Sequence, residues 1–311
     1  MSREEPWTTS ALPALSAEFQ ARYKVSRLLG EGGMGTVHLA WDEELSRQVA
    51  IKFLRRFGEG KDSHAGQRFA EEARVCAQLK HPSIVRLYTL GWEGDVPYLV
   101  FEFVMGSSLA DEIEARKRLS IERAMSVGLN LLHALAAAHE QGVIHRDVKP
   151  ANVLLRSEDG RAMLADFGLA RSTERTSFKT EKNLVLGTPA FMAPEVLRGE
   201  PAGAPADLYG VGCTLYACLT GAPPLVGKTD AQTLEMQLKV RPTRPAELIA
   251  ELPAALDDLI MGSLAKDPGL RPGSAAKMAE ALSEIARRTG LSLSADSGTR
   301  LPALLIPAGD L

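Results

Sequence analysis

The chain has 311 residues, 45% of them hydrophobic, and Lys+Arg 36 against Asp+Glu 39 leave a net charge of −3. That length buries a sizeable core as one large or two small domains, the charge gives no basic footprint for nucleic acid, and no apolar run approaches the ~20 residues that span a bilayer. The start, Met1-Ser2-Arg3-Glu4-Glu5-Pro6, has no signal-peptide stretch, and Cys76, Cys213 and Cys218 lack metal-ligand spacing, so a reducing cytoplasm with three small core thiols is expected.

In chain order, residues 1–22 read as a lead or a short docking segment. Tyr23 to Leu29 alternates Tyr23, Val25, Arg27 and Leu29 against Lys24, Ser26 and Leu28, which predicts a strand. Val37, Leu39 and Trp41 predict a second. The run Gly30-Glu31-Gly32-Gly33-Met34-Gly35-Thr36-Val37 therefore falls at a hairpin tip. A dinucleotide-binding turn would lead into a helix instead. Glycine removes the Cβ that keeps backbone amides away from phosphate oxygens. Val49-Ala50-Ile51-Lys52 predicts a third strand, and Lys52 alone would read as a snorkelling surface lysine. Phe69, Ala73, Cys76 and Leu79 recur at helical spacing over Gln67 to Leu79. On that helix the adjacent Glu71 and Glu72 point about 100° apart.

Pro97 to Phe103 predicts a buried strand and Met105-Gly106-Ser107-Ser108 a turn. From Leu109 the pattern is mostly helical. Ser120 caps a helix carrying Met125, Leu129, Leu132 and Leu135, and Gly142 marks its end. Pro205 to Thr220 predicts a central helix, and Asp230 to Val240, Ala254 to Leu264 and Ala275 to Thr289 predict three more. Residues 290–311 are rich in Ser, Gly and Pro, as a tail or linker would be, with one short apolar run from Leu301 to Pro307.

Two short runs carry the chemistry. His145-Arg146-Asp147-Val148-Lys149-Pro150-Ala151-Asn152 sets a carboxylate, a cation and a side-chain amide within one loop, and Asp166-Phe167-Gly168 adds a second carboxylate beside a glycine. Together with the glycine hairpin, Val49-Ala50-Ile51-Lys52 and Gly187-Thr188-Pro189-Ala190-Phe191-Met192-Ala193-Pro194-Glu195, they resemble the motifs of a eukaryotic-type protein kinase. Gly33-Met34-Gly35 and the run Leu45 to Lys52 look most like the bacterial Hanks-type serine/threonine class. The likeness covers about residues 23–289. It implies an α+β, two-lobed protein kinase fold: a small antiparallel β-sheet N-lobe with one helix over about 23–103, and a larger, mainly helical C-lobe over about 104–289.

The resemblance implies ATP and Mg²⁺ as cofactors and serine/threonine hydroxyls of proteins as substrates, with signalling as the setting and no nucleic-acid or membrane-spanning part in this chain. Asp147 would orient the hydroxyl, Lys149 would neutralise the γ-phosphate, and Asn152 and Asp166 would hold metal. Lys52 would hold the α- and β-phosphates and pair with Glu72, which precedes Ala73 as in the family pattern; Glu71 is then a surface charge. Gly30, Glu31, Gly32, Gly33, Met34, Gly35 and Thr36 would cover the phosphates. Leu29, Val37 and Ala50 would line the adenine slot, with Phe101 at its back and Glu102 to Val104 as the connecting hinge. Thr188 would contact Asp147 and the substrate. Phe191 stands where the family usually has Tyr. Val148-Lys149-Pro150-Ala151 after the aspartate matches the serine/threonine class.

Glu195 is expected to pair with Arg271, and Asp207 and His139 to anchor the catalytic loop. His38, His64, His81 and His133 read as structural. Arg146, directly before Asp147, implies regulation by a phosphate on the segment between Phe167 and Gly187, with Thr180 the favoured acceptor among Ser172, Thr173, Thr176, Ser177 and Thr180. A pseudokinase scaffold and a small-molecule phosphotransferase are the alternatives. Lys52, Asp147, Asn152 and Asp166 argue against the first, and the Gly187–Glu195 run against the second. Substrate identity and oligomeric state have no signal in the sequence.

Overall fold

The computed structural model describes residues 12–32, 35–54, 63–167 and 189–293. They form two compact units, one built from residues 12–80 and 85–103, the other from 81–84, 104–167 and 189–293.

The first unit is an antiparallel sheet in the order β1-β2-β3-β5-β4, with β1 Tyr23–Gly32, β2 Gly35–Asp42, β3 Arg47–Leu54, β4 Leu87–Glu93 and β5 Val96–Glu102. Side chains alternate across a strand, so register assigns the faces. One face carries Ala40, Val49, Ile51, Phe53 and Val100, buried with Phe19 and Tyr23. Ala50 lies opposite Leu39 and Phe101, and Lys52 opposite Val37 and Leu99, which puts these six on the other face. A Cβ on Gly35 would sit 1.8 Å from the Phe53 carbonyl oxygen, so close approach of β2 to β3 demands glycine there.

The described part of residues 1–22 is docked rather than a lead. Helix α1 (Ala17–Arg22) is capped by Ser16, whose hydroxyl accepts from Phe19 N at 3.1 Å. Ser16 donates from both its amide and its hydroxyl to the Glu93 carboxylate. Phe19 then meets the Tyr98 ring edge-on at 5.0 Å, within the range that favours aromatic pairs. Helix α2 runs from His64 to Gln78 behind a Ser63 cap, three residues earlier than the apolar spacing predicts. It buries Phe69, Ala73 and Cys76 and lies on β4, where Phe69 meets Trp92 edge-on at 6.4 Å.

The second unit contains a three-stranded sheet and eight of the described α-helices. The sheet has β6 Gly106–Ser108, β7 Val153–Arg156 and β8 Ala162–Leu164 in that order. The turn expected over Met105–Ser108 is instead strand at its last three residues, and a Cβ at Gly106 would fall 1.8 Å from the Leu155 carbonyl oxygen. Helices α3 (Leu109–Arg116), α4 (Ile121–Glu140), α5 (Pro194–Leu197), α6 (Ala204–Thr220), α7 (Asp230–Lys239), α8 (Pro245–Leu248), α9 (Ala254–Ser263) and α10 (Ala275–Thr289) make up the rest. Helix α6 is buried on all sides from Ala206 to Leu219, as a helix without a polar face must be. Helices α4 and α9 pack on it, and α10 packs on both of them. Cys76, Cys213 and Cys218 are all buried and unbridged.

Candidate active site

The loop between α4 and β7 is held from below by one buried carboxylate. Asp207, in the first turn of α6 and 1% exposed, accepts from His145 N at 2.9 Å, Arg146 N at 2.7 Å and His139 Nε2 at 2.8 Å. Those amides would otherwise be buried donors without partners. Arg146 is left-handed (φ 67°), and so is Asp166 (φ 60°). Non-glycine residues rarely adopt that region, and both flank the chemistry-bearing groups, where surrounding bonds hold the strain. Gly210 on α6 lets the loop sit close, since a Cβ there would lie 2.8 Å from both Val148 Cβ and Val148 O.

His145 ties the two motif runs together. It is fully buried, its Nδ1 accepts from Asp147 N at 3.2 Å, and its Nε2 bonds Ala165 O at 2.9 Å. Since Nδ1 is an acceptor, Nε2 must carry the hydrogen, which fixes the neutral tautomer. Burial lowers its pKa, although the nearby Asp207 carboxylate opposes that shift. Its ring packs on Phe167 with centroids 4.6 Å apart. Ala165 N in turn donates to Asn152 O at 2.9 Å, so the segment leading to Asp166 is bonded to the loop from both directions.

Asp147, Lys149 and Asn152 meet directly. Lys149 Nζ lies 2.8 Å from Asp147 Oδ2. Asn152 Nδ2 donates to Asp147 O at 2.8 Å and to Asp147 Oδ2 at 2.9 Å. The carboxylate is thereby oriented by two donors, and the Asn152 amide turns its oxygen end the other way. The short turn Pro150–Asn152 that delivers Asn152 starts with proline, whose missing N–H costs nothing at a first helical position. The Asn152 amide oxygen and the Asp166 carboxylate are hard ligands of the kind Mg²⁺ prefers.

In the first unit, register brings Lys52, Val37, Ala50 and Phe101 onto one sheet face, with Gly30 opposite Val37. Leu29, Gly30, Glu31 and Gly32 end β1 on its exposed side, and Thr36 is buried. Glu72 is partly buried on α2 while Glu71 faces solvent. Phe101 and Glu102 close β5, and the Glu102 amide donates to Arg86 O at 2.9 Å; Val104 begins the next stretch of chain. Gly33, Met34, Thr180 and Thr188 lie outside the described residues.

Two supports were legible as pairs. Arg271 Nη1 and Nη2 contact the two Glu195 oxygens at 2.6 and 2.7 Å, and Arg271 also donates to Ala265 O and Pro205 O. Glu195 is 4% and Arg271 6% exposed, so the pair is a buried, bidentate one with its spare donors satisfied. Gln237 and Tyr209 carried no signal in the sequence, because a lone glutamine in a polar-looking helix gives no motif. A groove of about 630 Å³ between α4 and α10, lined by His81, His133, Ala136, Ala279, Glu280 and Arg287 among others, holds none of these residues. Among the described residues no helix is long and apolar enough to cross a membrane.

The protein kinase domain family matches residues 23–283, and the chain belongs to that family. A probable serine/threonine-protein kinase of Corynebacterium efficiens is 38% identical over 291 residues, 90% of this chain and 44% of that protein. The serine/threonine-protein kinase PknB of Mycobacterium tuberculosis is 37% identical over 262 residues, 83% of this chain and 42% of that protein. Among solved structures, that of Rad53 1-466 in complex with AMP-PNP is similar with TM-score 0.70 and 27% identity, covering 83% of this chain and 64% of the other. The expected two-part kinase fold and the likeness to bacterial serine/threonine kinases are thus shown. The chain spans less than half the length of the curated relatives it matches.

Proposed function

We propose that this chain transfers the γ-phosphate of ATP to serine and threonine hydroxyls of proteins. The observation that carries the reading is the Asp147 carboxylate, aimed by Lys149 and Asn152 and backed by the Asp207-anchored loop. Phosphoryl transfer needs positioning and charge stabilisation more than covalent help. Asp147 Oδ accepts the substrate hydroxyl's hydrogen bond and receives its proton as the oxygen attacks the γ-phosphorus, while the bond from that phosphorus to the β,γ-bridging oxygen breaks and ADP leaves. Lys149 neutralises charge on the transferred group. Lys52 fixes the α- and β-phosphates, held by Glu72, while residues 30–36 cover them with backbone amides and Leu29, Val37, Ala50, Phe101, Glu102 and Val104 enclose the base. Asn152 and Asp166 would hold Mg²⁺, which supplies charge neutralisation for the phosphates.

Thr180 is proposed as an autophosphorylation site whose phosphate, adding about −1.5 to −2 charge, pairs with Arg146. Thr188 is proposed to contact the substrate. Mass spectrometry after incubation with ATP and Mg²⁺ tests activity, residue class and the Thr180 site together. Asp147→Asn should lower turnover ~10²–10⁴-fold, the usual worth of a general base, with nucleotide affinity nearly unchanged. Retention of more than a tenth of wild-type turnover contradicts the role.

A further inference from the structure

Half-buried Lys266 and the buried Tyr209 and Gln237 form a hydrogen-bonded chain that ends on the turn following Thr188. Lys266 Nζ donates to the Tyr209 hydroxyl at 3.1 Å. That hydroxyl donates to Gln237 Oε1 in a short bond. Gln237 Nε2 then donates to the Ala190 carbonyl at 2.7 Å. The polarity has one solution. A carbonyl only accepts, so Gln237 must offer Nε2 to Ala190 and Oε1 to Tyr209, and Tyr209 must then donate. Burial raises the Tyr209 pKa, which keeps the phenol protonated for that task. Gln237 and Tyr209 are both 0% exposed, so neither can exchange its partner for water.

The chemistry of α7 sharpens the point. Its buried residues are Thr233 and Gln237, both polar, where an apolar pair would fill the same space. An apolar contact is non-directional, whereas an amide specifies which atom it must meet and where. The atom it meets belongs to the short turn Pro189–Phe191. Five residues on, Arg271 grips Glu195. The Tyr209 ring touches that clamp too, with Arg271 Cζ 4.9 Å and Lys266 Nζ 5.4 Å from its centroid. One α6 side chain therefore joins the holds on both ends of the segment 190–195.

We infer that Gln237, oriented by Tyr209 and Lys266, is a positioning residue for the polypeptide substrate, setting the place of the Pro189–Phe191 turn beside the acceptor hydroxyl. This rests on the proposed kinase reading, in which the 187–195 segment meets the substrate. It touches no nucleotide-binding residue, so its effect belongs to peptide recognition and not to ATP.

The test pairs steady-state kinetics on a serine/threonine peptide with amide hydrogen exchange. Gln237→Met keeps the length of the side chain and removes the donor. It should raise peptide KM about 5- to 10-fold, the worth of about one hydrogen bond, with ATP KM and kcat within about twofold. Exchange at the Met192 amide, which donates to Pro189 O at 3.2 Å and so reports the turn, should speed up while α4 amides stay as they are. Tyr209→Phe deletes the orienting hydroxyl alone and should shift both readouts the same way by less. Unchanged peptide KM in folded Gln237→Met, or a fall in kcat alone, overturns the proposal; so does unchanged Met192 exchange. A wild-type protein that phosphorylates no peptide sinks the kinase reading and the substrate role with it, and the exchange result then decides separately whether Gln237 holds the turn.

Discussion

Lys266 is the residue whose protonation the fold resists most visibly. Burial lowers its pKa from 10.5 to about 8, with Arg271 pushing the same way and Cys213 against it. For a lysine, a lowered folded value means the charged form is penalised in the folded protein. The penalty is present in full below pH 8 and is relieved as pH rises from about 8 toward 10.5, where the unfolded chain still binds the proton and the folded one does not. Stability therefore rises with pH across that window from this group. Full displacement implies an upper bound of ~3 kcal/mol, and screening on the solvent-reaching part reduces it to about 1 kcal/mol. Lys266→Met removes the titration, so the difference between wild type and variant, measured by urea unfolding at pH 7 and pH 9.5, should move by about 1 kcal/mol in the wild type's favour at the higher pH. A difference that stays flat would place Lys266 in solvent. His145 is shifted the same way by burial and, neutral by its bonding, serves as a fixed connector between Asp147 and Ala165.

At the scale of elements, short segments are joined by pairs of charges that are costly to separate. Arg271, just after the turn Pro268–Leu270, meets Glu195 in the four-residue helix α5, which has too little length to be stable alone. Arg271→Leu should cost about 3–5 kcal/mol by leaving Glu195 buried and unpaired, while Arg271→Leu with Glu195→Leu should recover much of that loss. Urea denaturation of the two single variants and the double variant reads this directly, and a double variant no better than Arg271→Leu would show that the backbone bonds to Ala265 O and Pro205 O matter more than the pair. Both partners were legible in the sequence, as were the Asp207 anchor, the glycine hairpin and the helices α4, α6, α9 and α10 within a residue or so. Strands β6 and β8, three residues each, were not, because three residues hold too little of a period of two to be told from a turn. Helix α1 was hidden for a related reason: its buried contribution is the single ring of Phe19. Gln237 was invisible because its partner Ala190 is 47 residues away and offers only backbone.

For the molecule as a whole, the proposed chemistry names Lys52 and the glycine strand for the nucleotide, Asn152 and Asp166 for metal and Asp147 for the hydroxyl. A ligand that binds only the folded chain stabilises all of it by mass action, about 2.7 kcal/mol at a concentration 100 times its Kd. For a chain of this size that corresponds to a Tm rise of roughly 5 °C or more. A non-hydrolysable ATP analogue with Mg²⁺ should therefore raise the Tm by that order in thermal unfolding. Lys52→Met should shrink the rise at fixed analogue concentration by weakening phosphate binding. Asp166→Ala should remove the part that depends on Mg²⁺ and leave the metal-free part, because its carboxylate is proposed to hold metal and not the base. Asp147→Asn should leave both parts nearly intact, since its carboxylate serves the hydroxyl. A wild-type Tm indifferent to the analogue would refute nucleotide binding, and an Asp147→Asn variant that lost the response would move Asp147 from the hydroxyl to the nucleotide.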